Sequence, residues 1–431
     1  MRPGARLKAA VEVLTDIFDR HRPAAEALAD WGRAHRFAGS ADRAAIGNLV
    51  YDVLRRRLSL AARMGEDTPR ALVLAAAPTA FAMTPEAVAR LADGSPHALE
   101  PLSAAERAGL SREVRADAPD NVKGDYPDWL APSFARAFGA RAPAEGAALA
   151  RRAPVDLRVN TLKASREKVL RALSRFGPEP TPLSPVGVRL TAPEGPARVP
   201  NVEAEPGHGK GWFEVQDEGS QVAALMSGAA PRLQVLDICA GAGGKTLAMA
   251  AAMQNTGQIY AYDESRVRLR PIFERLRRAG VRNAQVIAAG AEDRLSALGP
   301  RFDAVLVDAP CTGSGVWRRR PDAKWRVKPS SLAERQAEQR RVLSQARMLV
   351  KPGGRLTYVT CSVLPEENGD VVSWLLESFP DLRLKPYAET WRASFGTEPP
   401  ASADGAESSL LLTPASHGTD GFFIATFERV G

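Results

Sequence analysis

The chain has 431 residues, 45% hydrophobic and 25% charged, with 58 Lys plus Arg against 50 Asp plus Glu and a net charge of +8. That length calls for two or three domains with a sizeable core, and the charge favours an anionic partner without proving one. The longest uncharged apolar stretch, residues 71–85, contains Pro78 and is too short to span a bilayer; the basic N-terminus lacks the apolar core and cleavage site of a signal peptide; and three cysteines are no disulfide framework, which points to the reducing cytoplasm.

The first region reads as helical. Leu7, Val11, Leu14 and Phe18 recur on one helical face. "SADRAAIGNLVYDVLRRR" predicts a second amphipathic helix, with Ser40 as its N-cap and Ile46, Leu49, Val50, Val53 and Leu54 as its apolar stripe. Arg55, Arg56 and Arg57 at its end read first as a solvated, dipole-favoured helix end and second as a phosphate contact. Around residues 115–155 the Pro, Asp and Gly content is that of a linker. "VDLRVNTLK" (155–163) then predicts a strand, and "SREKVLRALSRFG" (165–177) a helix closed by Gly177. Residues 178–210 predict a long irregular connection with short strands.

From about residue 229 strands and helices alternate. "QVLDICA", "QIYAYD", "AQVIAA", "DAVLVDAP" and "RLTYVTCS" read as strands, with helices such as 264–279 and 331–350 among them. The alternation predicts βαβ units around a mostly parallel sheet, whose ligands sit at the carboxyl ends of the strands. The segment "DICAGAGGKT" (237–246) lies at one such end. It imitates a phosphate-binding loop, but that motif needs a glycine where this chain has Cys239. Asp263, at the end of the next strand, is placed to accept hydrogen bonds from ribose hydroxyls, which a nucleotide hydrolase loop does not need. Gly241, Gly243 and Gly244 allow close backbone approach at a helix N-terminus, so a nucleoside-containing cofactor is expected.

Two cysteines follow at two further strand ends, Cys311 in "DAPCTGSG" and Cys361 in "TCSVLPEEN". Nucleophiles or a redox pair both fit; a metal site does not, because no Cys-x-x-Cys pair occurs and the chain holds five histidines. These motifs, with "RRRPDAKW", "DICAGAGGKT" and "FEVQDEGSQ", strongly resemble the RNA (cytosine-5)-methyltransferases of the Sun/Nop type, closest to the bacterial branch that acts on small-subunit ribosomal RNA. The likeness covers residues 150–431. A looser one relates "FAGSADRAAIGNLVYDVLRR" to the NusB-like RNA-binding domain of that branch.

The resemblance implies a three-part chain: a helical NusB-like domain (1–140), a small α/β RNA-binding linker module (150–228) and a Rossmann-like class I methyltransferase domain (229–431). It also implies S-adenosylmethionine as cofactor, RNA as substrate, no metal and a monomeric protein. The cofactor loop maps onto Cys239, Ala240, Gly241, Ala242, Gly243, Gly244 and Lys245, and the ribose acid onto Asp263. The loop departs from the family's usual Ala-Ala-Pro-Gly-Gly-Lys-Thr at Gly241 and Ala242. Ala291 stands where the family has an Asp near the adenine, with Glu292 or Asp293 as substitutes.

In the implied chemistry the Cys361 thiolate adds to cytosine C6, which makes C5 nucleophilic, and Cys311 assists release of product. Asp308 lies beside cofactor and base and supports the N3 edge. Lys324 orients the base or is a surface lysine. Arg318, Arg319 and Arg320, flanked by Trp317 and Trp325, fit single-strand binding, with a core Trp317 as the competing reading. Ribosomal RNA is the expected substrate, transfer RNA the alternative. Two rival classes remain, a nucleotide hydrolase and an RNA-binding assembly factor with a vestigial fold; Cys239 and Asp263 oppose the first, and the intact set of cysteines and aspartates opposes the second.

Overall fold

The computed structural model describes residues 1–192 and 195–431, so two residues of the expected irregular connection at 178–210 lie outside the described residues. The chain divides into two compact units. One comprises residues 1–153, 192–199 and 317–327; the other comprises 154–191, 200–316 and 328–431.

The first unit is helical. The helix Pro3–Arg20 buries Leu7 and Leu14, as its periodicity predicts, against Ile46, Leu49, Val50 and Val53 of the helix Ser40–Arg55. An alanine-rich helix, Pro69–Phe81, is buried along nearly its whole length and completes this core. Ser40 is the first helical residue, not the cap. Gly39 takes the cap position in an extended conformation, and its N–H donates to the Asp42 carboxylate at 3.3 Å. The arginines that end this helix are not freely solvated. Arg55 donates to the Asp52 carboxylate at 3.1 Å, and Arg57 pairs with Asp67 at 2.8 Å while lying over the Phe18 ring.

The second unit contains two sheets. The smaller is antiparallel, with strands β1 (Val155–Val159), β2 (Glu179–Pro180), β3 (Gly187–Leu190) and β4 (Phe213–Val215) in the order β2-β3-β1-β4. The helix Arg166–Ala172 and a short 3-10 turn cover it, and Gly177 closes that turn at φ 61°. Leu157, Val169, Val188 and Phe213 form its core. The larger sheet holds β5 (Gln234–Asp237), β6 (Gln258–Ala261), β7 (Ala284–Val286), β8 (Phe302–Asp308), β9 (Val350–Thr360), β10 (Leu382–Lys385), β11 (Leu410–Leu412) and β12 (Phe422–Arg429). Its order is β10-β12-β9-β8-β5-β6-β7, with β11 paired to β12.

β5 to β9 are parallel and are the five runs that the sequence patterning singles out; Val305, Leu306 and Val307 of β8 are wholly buried, as in a sheet covered on both faces. β12 runs antiparallel between β9 and β10, a C-terminal feature beyond that patterning. The winding leaves β5 in one direction towards β6 and β7, and resumes on its other side at β8 and β9. That reversal is the switch point at which such sheets bind ligands. No helix among the described residues is long and apolar enough to cross a membrane.

Candidate active site

The carboxyl ends of β5, β6, β8 and β9 bring the expected residues together. β5 ends at Asp237, and the chain turns through Cys239–Gly243 into the helix Gly244–Ala252. The turn needs its glycines. Gly241 and Gly243 sit at φ 50° and 85°, and a Cβ at Gly243 would come within 2.5 Å of Ile272 Cγ1. Thus Ala242 in place of a more restrictive residue leaves the turn intact. Asp263, after β6, is 2% exposed and holds the loop: Gly241 N donates to its Oδ2 at 2.9 Å, Ser265 N to its Oδ1 at 2.8 Å, and Arg268 pairs with it at 3.1 Å.

A cleft opens beside this loop. Its lining includes Cys239, Tyr262, Asp263, Glu292, Pro310 and Arg341. Of the two residues offered as substitutes for the missing aspartate, Glu292 lines it and accepts from the Tyr262 hydroxyl at 2.6 Å; Asp293 is not in the lining. Burial pushes the Cys239 thiol well up, so it is a neutral wall of the cleft rather than a reactive thiolate.

Asp237, the residue that opens the loop, has no role in the sequence reading, and its environment gives it one. It is 1% exposed and accepts from the Thr246 hydroxyl at 2.6 Å through Oδ2, while Oδ1 has no partner among the described residues. Burial pushes its pKa up to about 7. A glycine cradle, a buried carboxylate oxygen without a donor and an acid at the next strand end together suit a cationic, ribose-bearing cofactor.

Asp308 closes β8, with its Oδ2 2.6 Å from Lys245 Nζ. Lys245 is nearly buried and also faces the Phe422 ring, whereas the Asp308 side chain keeps 32% of its exposure. Cys311 Sγ lies 3.3 Å from Cys361 Sγ, so the two cysteines share one hydrogen bond. That bond, then burial, pushes the Cys311 thiol well up. Cys311 is therefore the harder of the pair to deprotonate without a change in that contact.

The loops that carry the cysteines are pinned to each other. Thr312 donates to Glu367 twice, from N at 2.8 Å and from the hydroxyl at 2.5 Å; Gly315 N donates to Cys361 O at 3.0 Å; and Ser314 and Ser362 hydroxyls lie 2.9 Å apart. Gln339 reaches both Pro310 O and Glu367. Glu367 is fully buried, with its carboxyl pushed up by that burial. It is the residue here that sequence reasoning missed; the signal was its place six residues after a strand-end cysteine, in "LPEEN".

Lys324 is not among these residues. It belongs to the helical unit, where it is 1% exposed and its Nζ donates to Arg55 O at 2.8 Å. Burial pushes its pKa down to about 8, against the pull of Asp125, which itself accepts from Ser59. Neither the base-orienting reading nor the surface-lysine reading fits that environment. Trp317 is likewise core: it is 1% exposed and stacks against Phe134, and Arg318 is 4% exposed. Trp325 donates to Leu54 O at 2.6 Å. Of the arginine run only Arg320 is exposed, so the run with its two tryptophans does not form a stacking surface for a single strand.

Comparison with known proteins places the chain among methyltransferases. The sequence profile of the 16S rRNA methyltransferase RsmB/F family matches residues 228–428, and that of the ferredoxin-like domain of RsmF/B-like methyltransferases matches residues 126–196. The probable ribosomal RNA small subunit methyltransferase B of Synechocystis sp. is 32% identical over 313 residues, covering 70% of this chain. The ribosomal RNA small subunit methyltransferase F of Cronobacter sakazakii is 34% identical over 279 residues, covering 64% of it. The chain spans 67% and 56% of the length of these two relatives. The crystal structure of a methyltransferase homologue from Pyrococcus horikoshii is 30% identical, with a TM-score of 0.59 over 72% of this chain and 98% of that one.

Proposed function

Because the chain belongs to the 16S rRNA methyltransferase RsmB/F family, we propose that it methylates C5 of a cytosine in 16S ribosomal RNA through a covalent cysteine–C6 adduct, with S-adenosylmethionine as methyl donor. The observation that carries this reading is the pair of strand-end sulfurs 3.3 Å apart, on the same rim as Asp308 and the glycine loop. Cytosine C5 is a poor nucleophile, and a thiol addition at C6 is what activates it.

The residues divide the work as follows. Gly241, Gly243 and Asp263 would hold the cofactor's nucleoside, and Glu292 and Tyr262 line its cleft. S-adenosylmethionine bound there would supply an electrophilic methyl group to the activated C5. Cys361, in hydrogen-bond contact with Cys311, forms the bond to C6. Asp308, kept in place by Lys245, supports the cytosine N3 edge as charge develops there. After transfer a proton leaves C5 for solvent, the C6–S bond breaks, and Cys361 returns as the thiolate that Cys311 again hydrogen-bonds. The target base must be unstacked to reach the rim, so the RNA is single-stranded or locally splayed there.

Bisulfite mapping of total RNA with and without the gene tests the reading. One cytosine of 16S ribosomal RNA should lose its mark. A mark missing from transfer RNA alone would overturn the substrate, and calorimetry that finds ATP binding without S-adenosylmethionine binding would overturn the activity.

A further inference from the structure

The antiparallel sheet presents a tryptophan surrounded by lysines. Trp212, just before β4, is half-buried with one side against the core of that sheet. Lys168 Nζ lies 4.0 Å from the centre of its ring and Lys210 Nζ lies 5.1 Å away. Lys163 is exposed beside them, with its Nζ donating to Arg278 O at 2.7 Å and to Lys210 O at 3.3 Å. None of these three lysines is paired with a carboxylate among the described residues.

The surroundings share this sign. Residues 163–175 carry five cations and one carboxylate, and residues 266–282 carry seven cations and one carboxylate. The buried acid of this region, Glu214 on β4, is already occupied by Arg275 at 3.0 Å and Arg278 at 2.8 Å. Asn160 ties the segments together, donating to Gly211 O at 2.9 Å and Ala279 O at 2.8 Å. Two ammonium groups at one partly open aromatic ring and a third bonded to the backbone of Lys210, none paired with a carboxylate among the described residues, are costly to assemble unless an anion is to be met.

We propose that Trp212 with Lys163, Lys168 and Lys210 is a contact for single-stranded RNA, in which the lysines take consecutive phosphates and the indole takes one base by stacking. A ring framed by cations fits that occupant better than it fits an acidic peptide, because a nucleotide brings an aromatic face and a phosphate at one short spacing. The proposal rests on RNA being the substrate, and it adds where the strand is gripped away from the cysteines.

The test is equilibrium binding of a fluorescein-labelled 12-nucleotide single-stranded RNA, and of the duplex of the same sequence, to the full chain across a salt series. S-adenosylmethionine affinity is measured in parallel as a check on folding. K168Q/K210Q should lower the salt slope of the single strand by about 1.4, since each phosphate contact contributes roughly 0.7. W212L should weaken the single strand by roughly 5- to 150-fold and the duplex much less. Should W212L fail to fold, the lysine pair, which lies on the surface, decides alone. Wild-type protein that binds no RNA would overturn both the function and this contact. Wild-type protein that binds RNA, beside an unchanged slope in K168Q/K210Q, would overturn the contact only. So would polyglutamate that displaces the single strand from wild type but not from K168Q/K210Q, which would make the patch a peptide site.

Discussion

Two almost fully buried lysines, each close to an aspartate, show how differently one pairing can be used. At the strand-end rim Lys245 meets Asp308 at 2.6 Å, and the carboxylate stays partly exposed. In the helical unit Lys324 is enclosed, and its proton is given to a backbone carbonyl while Asp125 answers the charge from among its own donors. The first arrangement leaves charge available to a reactant; the second spends it on packing. The rim as a whole follows the first pattern, with Asp237 Oδ1 unpartnered among the described residues and the Asp308 carboxylate partly exposed, except at the cysteines, where a mesh of bonds fixes two sulfurs at one separation.

The cysteines give the sharpest contrast, because the rim predicts unequal losses. Cys361→Ala should abolish methylation and every covalent link to RNA, since no sulfur remains to attack C6. Cys311→Ala should still attack, but the leaving sulfur has lost its hydrogen-bond partner. A protein–RNA conjugate should accumulate, survive denaturing electrophoresis and vanish after RNase. A conjugate that appears with Cys361→Ala instead would exchange the two roles.

Much of that rim is legible in the letters, for local reasons. A strand buried on both faces must be a short apolar run, as "DAVLVD" is, and a tight turn against Ile272 must hold glycine at position 243. What escapes the sequence is decided by distant partners. "RRRPDAKW" reads as a basic, aromatic strand-end loop, and only the contact of Lys324 with Arg55, 269 residues away, makes it core. Glu366 and Glu367 are equivalent as letters; Thr312 and Gln339 select one of them. Gly39 displaces Ser40 as cap because Asp42 reaches back to its N–H, a choice that composition does not distinguish.

The enclosed lysine can be tested against the open one through stability. Lys324→Met keeps the apolar stem among Trp317 and Trp325 but leaves Asp125 buried without its cation. Losing the buried hydrogen bond to Arg55 O and the neighbouring charge costs on the order of 1–3 kcal/mol, read as a lower urea midpoint. Methyl transfer per folded molecule should stay within a few-fold of wild type. A large fall in kcat with unchanged stability would return Lys324 to the reaction and dissolve the contrast.

Asp263→Ala probes the ligand-facing side of the rim. It removes an acceptor for ribose hydroxyls and also a support of the Gly241 N–H. The loss, of order 1.5–3 kcal/mol, should appear as a 10- to 150-fold weaker S-adenosylmethionine affinity by calorimetry. Unchanged affinity in a folded variant would remove Asp263 from the site.

The last test concerns the buried Asp237 carboxyl itself. In the cofactor-free protein the Asp237 pKa is pushed from the ordinary aspartate range up to about 7 by burial. A raised acid favours folding while it is protonated. Its contribution is complete below the unfolded value near 3.9 and is lost as pH rises to about 7. The slope cannot exceed one proton, about 1.4 kcal/mol per pH unit. Asn at this position imitates the protonated acid and can still accept from the Thr246 hydroxyl. Thermal melts of Asp237→Asn and wild type should therefore coincide near pH 4 and separate as pH rises to 7, with the variant the more stable. Every other titrating group is common to both proteins and cancels in the difference. Parallel curves across that range would mean that Asp237 ionises as an ordinary aspartate, and that the rim holds no charge in reserve there.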